Sequence, residues 1–228
     1  MNRTLLLRLD GPLQSWSSPL TAGRNAIQFP TATNLIGIII TAFGPGDGKA
    51  AAELRFLEAA VRADEPGRHV NDFESSKQRK KHPATATEDA WIRVLRRGYA
   101  TDAVFTAAVV GSAETVELAA SALARPWRQL FLGRRCCPPA APILLGVSDR
   151  SALAALGSVP YQGHRDRTPS CFEAAVYSPA REVPGGDATD GLHVMLGKRS
   201  WTRTDTAVMV NSPVAPAAVI GPRGDSSA

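Results

Sequence analysis

The 228 residues carry 26 Lys and Arg against 21 Asp and Glu, a formal charge of +5 and an isoelectric point near 9.4. That length holds one or two domains, of which we read one, and the basic balance favours a polyanionic partner without requiring it. Cys136 and Cys137 are adjacent and Cys171 is distant, which excludes a disulfide ladder and a zinc spacing.

No apolar run reaches membrane-spanning length, and the N-terminus meets Arg8 and Asp10 too soon for a signal peptide. The expectation is a soluble protein of the cytoplasm without membrane contact.

Thr4 to Leu9 reads as a strand that Asp10-Gly11-Pro12 ends in a turn, followed by a polar loop with an exposed-looking Trp16. The longest apolar segment runs from Phe29 to Gly44. Thr31, Thr33 and Asn34 are helix-capping residue types, Pro30 cannot continue a helix backwards, and Gly44-Pro45 is a stop, so a buried core helix is expected. The β-branched run Ile38 to Thr41 keeps a buried strand open as the alternative. A helix start there, with Arg24 upstream, would offer free N–H groups to a phosphate.

The stretch Gly44 to Ala50 imitates a phosphate-cradling loop but has three residues between its outer glycines where four are needed, and Ala50 lacks the hydroxyl for magnesium. Lys49 to Leu57 has helical composition, and Ala59 to Asp64 fits either that helix's end or the next strand. Glu65 to Asp89 is polar and basic, with Lys77, Arg79, Lys80, Lys81 and His82 together, and reads as a surface loop or hairpin arm.

Trp91 to Val110 reads as one or two strands, and Glu114 to Ala124 as an amphipathic helix stopped by Arg125-Pro126. Leu130 to Pro142 places Arg134 and Arg135 after Gly133, where at least one is offered to solvent or an anion. A strand at Ile143 to Val147, a helix at Asp149 to Leu156 capped by Ser148 or Asp149, and strands at Phe172 to Tyr177, Leu192 to Leu196 and Thr206 to Val210 complete the chain before a mobile tail at Ser212 to Ala228.

Two successive strand–helix–strand units imply a ferredoxin-like α+β fold. The four histidines have no metal-ligand spacing, and no nucleophile elbow, dinucleotide fingerprint or carboxylate pair stands in a convincing frame.

Four stretches taken together resemble a known family: Leu5 to Trp16 (Leu-Leu-Leu-Arg-Leu-Asp-Gly-Pro-Leu-Gln-Ser-Trp), Phe29-Pro30-Thr31 leading to Leu35-Ile36-Gly37, Tyr99 to Phe105, and Leu132-Gly133-Arg134-Arg135-Cys136-Cys137-Pro138. Arg199-Ser200-Trp201-Thr202-Arg203 looks like that family's closing strand. The chain is similar to the CasD family, RAMP-superfamily subunits of type I-E CRISPR Cascade complexes that hold the 5′ end of the guide RNA. The family usually has a glycine after the tryptophan and a Ser-Gly pair at the helix start; this chain has Ser17 and Thr33-Asn34 there.

The resemblance implies a single RAMP, RRM-like palm over residues 1–220, a thumb inserted at about 68–98, extra C-terminal strands and a flexible tail at 212–228. It implies a non-catalytic subunit that grips the 5′ handle of the crRNA and caps the backbone filament in antiviral defence, without metal or cofactor. Its partners would be the crRNA, CasC, CasA and CasE, and target DNA only indirectly.

The residues expected at the handle are Arg24, Thr31, Thr33, Asn34, Arg134 and Arg135, with Trp16 as a stacking face; Lys77, Arg79, Lys80 and Lys81 are expected at phosphates near the thumb. The alternative is a metal-independent endoribonuclease that processes repeat RNA itself, recruiting His82 with Lys81 or Tyr99. A third reading is an unrelated basic module that shares the fold alone.

Overall fold

Strict alternation of side chains decides how this chain packs. In the computed structural model, which describes residues 1–16, 29–47, 50–51, 54–81, 88–165, 169, 171–179 and 201–211, the described strands join in one antiparallel sheet. In chain order the described elements are β1 (Asn2–Gln14), α1 (Ala32–Ala42), a 3-10 turn (Pro45–Asp47), β2 (Phe56–Glu65), β3 (Arg68–Lys81), β4 (Glu88–Ser112), α2 (Ala113–Ala124), β5 (Leu144–Ser148), α3 (Ala152–Ser158), β6 (Cys171–Pro179) and β7 (Trp201–Asn211).

The sheet runs β5-β1-β4-β2-β6-β7, and β3 pairs with the first half of β4. Odd positions Leu5, Leu7 and Leu9 of β1, Ala59 and Val61 of β2, and Phe105, Ala107 and Val109 of β4 enter one core with α1 and α2. Even positions Leu6, Ala60 and Ala108 enter a second core with Ala152, Ala155 and Leu156 of α3. Because the strand period is two, a slip of one residue would exchange the two cores, so the register is strongly fixed.

The apolar run is a helix. Thr31 caps it: its hydroxyl accepts the Asn34 N–H at 3.3 Å, while Asn34 Oδ1 accepts the Thr31 N–H at 2.9 Å. Phe43 leaves helical geometry just before Gly44. The β-branched run is tolerated because Ile38 and Ile39 are buried, each worth roughly 1.5–3 kcal/mol of burial, which outweighs a propensity deficit of a few tenths.

Three expectations need correction. β1 continues through Asp10, Gly11 and Pro12 to Gln14 instead of turning at Asp10. Gly11 pairs with Ala103 of β4, and glycine is required there because a Cβ would meet Leu132 Cδ1 and the Pro138 carbonyl, both at 2.9 Å. The helical composition from Lys49 yields helix at Ala50 and Ala51, but Phe56 and Leu57 already belong to β2, where Phe56 packs into the core. The cap of α3 is Ser151, with no side-chain hydrogen bond, not Ser148 or Asp149.

The polar segment is a hairpin arm. β3 and the first half of β4 pair from Arg68 opposite Thr101 to Lys81 opposite Glu88, and the second half of β4 is the strand between β1 and β2. Fourteen residues of strand span roughly 45 Å, so one continuous β4 joins the arm to the sheet. The strand expected at Leu192 to Leu196 and the tail from Ser212 lie outside the described residues.

Candidate nucleic-acid interface

The end of β1 and the loop after α2 are locked together. The Ser15 N–H donates to the Leu132 carbonyl at 3.0 Å, and the Ala140 N–H donates to the Asp10 carbonyl at 2.7 Å. Within the loop, Leu132 N–H donates to Cys137 O at 2.8 Å and Cys137 N–H to Arg134 O at 2.9 Å, closing a tight turn. Gly133 makes that turn possible: its φ is +87°, and a Cβ would overlap the Ser15 carbonyl.

The turn presents Arg134 to Tyr99 of β4, with the guanidinium 5.1 Å from the ring centroid. Arg134 is half-buried, and its Nη1 is buried without a hydrogen-bond partner among the described residues. A buried donor of a cation without an acceptor is costly unless a ligand supplies one. Arg135, the next residue, is exposed and lines a different groove with Trp127 and Arg128. The two adjacent arginines therefore serve different surfaces.

Trp16 is not a stacking face. It is 5 % exposed within the larger core, and its indole N–H donates to Gln14 Oε1 at 3.0 Å. Gln14 is itself fully buried and donates to the carbonyls of Leu9 at 3.1 Å and Ala103 at 2.6 Å. An aromatic N–H with a buried acceptor packs inward, and the polar neighbours that made the tryptophan look exposed are what let it be buried.

At the start of α1, Thr31 and Asn34 are committed to each other in a capping box, while Thr33 is half-buried. The side chain at Asn34 completes the cap, so the N-terminus is tied down by the chain itself. Arg24 and His82 lie outside the described residues. Lys77, Arg79, Lys80 and Lys81 are described in backbone alone: residues 77, 79 and 81 share one face of the arm and 80 the other, with Lys80 opposite Asp89 and Lys81 opposite Glu88. Tyr99, the ring beneath Arg134, starts the core end of the arm.

Sequence reasoning missed a polar network on the α3 side of the sheet. Arg62 of β2 is fully buried; Nε and Nη2 donate to Asp64 at 3.2 and 2.7 Å, Nη1 to the Leu156 and Val159 carbonyls at 2.6 and 2.8 Å, and Nη2 also to Pro160 O at 3.0 Å. Its guanidinium lies 4.4 Å over the Phe172 ring. Arg62 thus supplies positive charge to the carbonyls at and just after the end of α3. Asp64 also accepts from Thr106 Oγ1 at 2.7 Å and Gln162 N–H at 3.0 Å. The signal was Arg62 and Asp64 two apart in a strand, hence on one face.

Glu65 extends the network. Burial alone would raise its carboxyl pKa, but the Tyr161 hydroxyl at 2.6 Å and the backbone N–H groups of His164 and Arg165 at 2.6 and 3.0 Å outweigh that, and the net value is lowered. Burial and the same hydrogen bond push Tyr161 up to about 12. His164 Nε2 lies 3.1 Å from Asp10 Oδ1, and Arg8 Nη2 2.7 Å from the other oxygen.

The Cys137 thiol is not an activated nucleophile. Burial and the neighbouring Cys136 push the Cys137 thiol up to about 11, holding it neutral. Among the described residues no three His, Cys, Asp or Glu side chains gather as metal ligands, and no helix is long and apolar enough to cross a membrane.

Comparison with known proteins decides the lineage. A family model described as "CRISPR-associated protein (Cas_Cas5)" matches residues 4–212. The chain belongs to this Cas5 family. It is 30 % identical over 166 residues to "CRISPR system Cascade subunit CasD" of Escherichia coli (strain K12), covering 66 % of this chain and 74 % of that one.

Among solved structures it resembles a chain of a "CRISPR RNA-guided surveillance complex", with a TM-score of 0.57, 27 % identity and coverage of 92 % and 91 % of the two chains. It also resembles one described as "Crystal structure of Cas protein", with a TM-score of 0.52, 26 % identity and coverage of 78 % and 80 %. The Cas5 match takes in Trp16, the arm, the Arg62 network and the Arg134 turn, so all of them belong to the family portion of the chain.

Proposed function

We propose that the chain is a non-catalytic RNA-binding subunit of a type I-E CRISPR Cascade complex, gripping the 5′ handle of the crRNA and capping the backbone filament. The observation that carries this is the likeness, over 92 % of the chain, to a chain of an RNA-guided surveillance complex. The order β5-β1-β4-β2, with α1 and α2 on one face, supports a ferredoxin-like palm; the β3–β4 arm is its thumb, and β6 and β7 are the added strands.

Arg134, stacked on Tyr99 and with a buried donor open, is the residue best prepared for a phosphate or base of the handle. Trp16, buried and hydrogen-bonded to Gln14, acts from within the core, and Thr31 and Asn34 act by fixing the start of α1. Lys77 and Arg79 are the stronger phosphate candidates on the arm, since Lys80 and Lys81 each stand opposite a carboxylate residue. CasC, CasA and CasE are the neighbours this role implies, in the cytoplasm.

The test is to incubate purified chain with 5′-labelled repeat RNA in EDTA and resolve binding and cleavage on one sample. Intact bound RNA, weakened by changing the handle or by Arg134→Ala, is the expected result. A discrete cut abolished by His82→Ala would make the chain a processing enzyme instead, and binding indifferent to handle sequence would reduce it to a generic basic module.

A further inference from the structure

A groove of about 510 Å³ opens at the C-terminal end of α1, lined by Thr41, Trp127, Arg128, Gln129, Phe131 and Arg135 among others. Trp127 is 60 % exposed, yet it is held in place. Its backbone N–H donates to the Ala42 carbonyl at 2.9 Å, and its indole edge rests on Gly44, where a Cβ would come within 3.0 Å of Cδ1. The Arg128 guanidinium lies 5.1 Å from the ring centroid, and Arg135 is exposed on the same groove.

No carboxylate lines this groove among the described residues; the neighbouring Asp47 accepts the Gly44 N–H at 3.3 Å. An anchored, exposed indole beside two arginines is the combination that takes a base by stacking and its phosphate by charge. The volume falls in the range of small-ligand pockets, enough for one nucleotide and small for a partner helix. The Gly133 turn then sends Arg134 to Tyr99 and Arg135 to this groove, so one strand crossing the turn meets both.

We propose that the groove is a second nucleotide subsite for single-stranded RNA, with a base stacked on Trp127 beside Arg128, the adjoining phosphate on Arg135 and a base edge on Gln129. The subsite rests on the RNA-binding role above. It predicts that RNA affinity depends on a face of the protein separate from the Arg134–Tyr99 pair.

The experiment uses the full chain and repeat-derived single-stranded RNA carrying 4-thiouridine at successive positions, with crosslinked peptides mapped by mass spectrometry and affinity measured on the same preparations. A crosslink within residues 125–135 is expected. Trp127→Ala should weaken binding about tenfold or more, and Trp127→Phe should recover most of it, since any π face serves. Arg135→Ala, an exposed change that leaves folding alone, should lower the salt slope by roughly 0.7.

Unchanged affinity in Trp127→Ala and Arg135→Ala, with Arg134→Ala still weakened, would overturn the subsite and leave the RNA role standing. Intact RNA affinity with lost co-purification of other Cascade subunits would also overturn it, making the groove a protein contact. A wild-type chain that binds no RNA would remove both readings.

Discussion

Arg62 and Arg134 each stack on an aromatic ring, and they differ in what their donors meet. Arg62 lies over Phe172, and its five N–H groups face five acceptor contacts: two on Asp64 and one each on Leu156, Val159 and Pro160. Arg134 lies over Tyr99 with a buried Nη1 that has no acceptor among the described residues. Buried charge is costly unless its hydrogen bonds are satisfied, so the first arrangement is complete as folded and the second leaves a donor open. The same residue type is a structural cross-link in the Arg62 network and, in the RNA-binding role proposed above, a recognition element at the Gly133 turn.

The largest effect should come from breaking the complete site. Arg62→Ala strands a fully buried Asp64 carboxylate and uncovers the carbonyls at the end of α3, costing about 3–5 kcal/mol. Urea unfolding followed by circular dichroism would register this as a large fall in midpoint. Arg134→Ala should stay within about 1 kcal/mol of wild type in the same assay. Equal losses in the two variants would erase the distinction between them.

Gly133→Ala comes next. With φ at +87° and the Ser15 carbonyl where a Cβ would fall, the turn must shift, at roughly 1–3 kcal/mol or more. RNA affinity should fall although no cation has been removed, because Arg134 no longer sits over Tyr99. Unaltered RNA binding in a destabilised Gly133→Ala chain would mean that the position of Arg134 is unimportant. Arg134→Ala itself should weaken handle binding by roughly 1–3 kcal/mol, about five- to 150-fold, read by titration at fixed salt.

What the sequence made legible follows from how local each signal is. The helix at Ala32–Ala42 was readable because Pro30, Thr31 and Gly44 act on neighbouring backbone alone. The turn expected at Asp10-Gly11-Pro12 is instead strand, held by pairing with β4 through Gln14, and the glycine there answers a distant crowding by Leu132 and Pro138, invisible to any local window. Trp16 looked exposed among polar residues, yet Gln14 is the acceptor that buries it. Arg134 and Arg135 were paired by adjacency, whereas the Gly133 turn parts them. The arm was legible as a polar, basic excursion; that β4 continues unbroken from it into the core was not, since alternation looks alike in both halves.

The smallest predicted effect lies in the pH dependence of the complete network. Glu65 has its pKa lowered on folding, so it contributes stability present above its ordinary value of 4.5 and lost as pH falls through the folded value. Tyr161 is raised from 10 to about 12, so its contribution is present below pH 10 and lost as pH rises toward 12. Glu65→Gln should therefore flatten the acid limb of a stability–pH curve and Tyr161→Phe the alkaline limb, each costing on the order of 1 kcal/mol at neutral pH. RNA affinity measured at pH 7 should not move in either variant, because neither residue belongs to the Arg134 turn. A fall in that affinity would mean that the two arginine sites are coupled through β1, where Asp10 meets His164 on one side and its carbonyl holds Ala140 of the loop on the other.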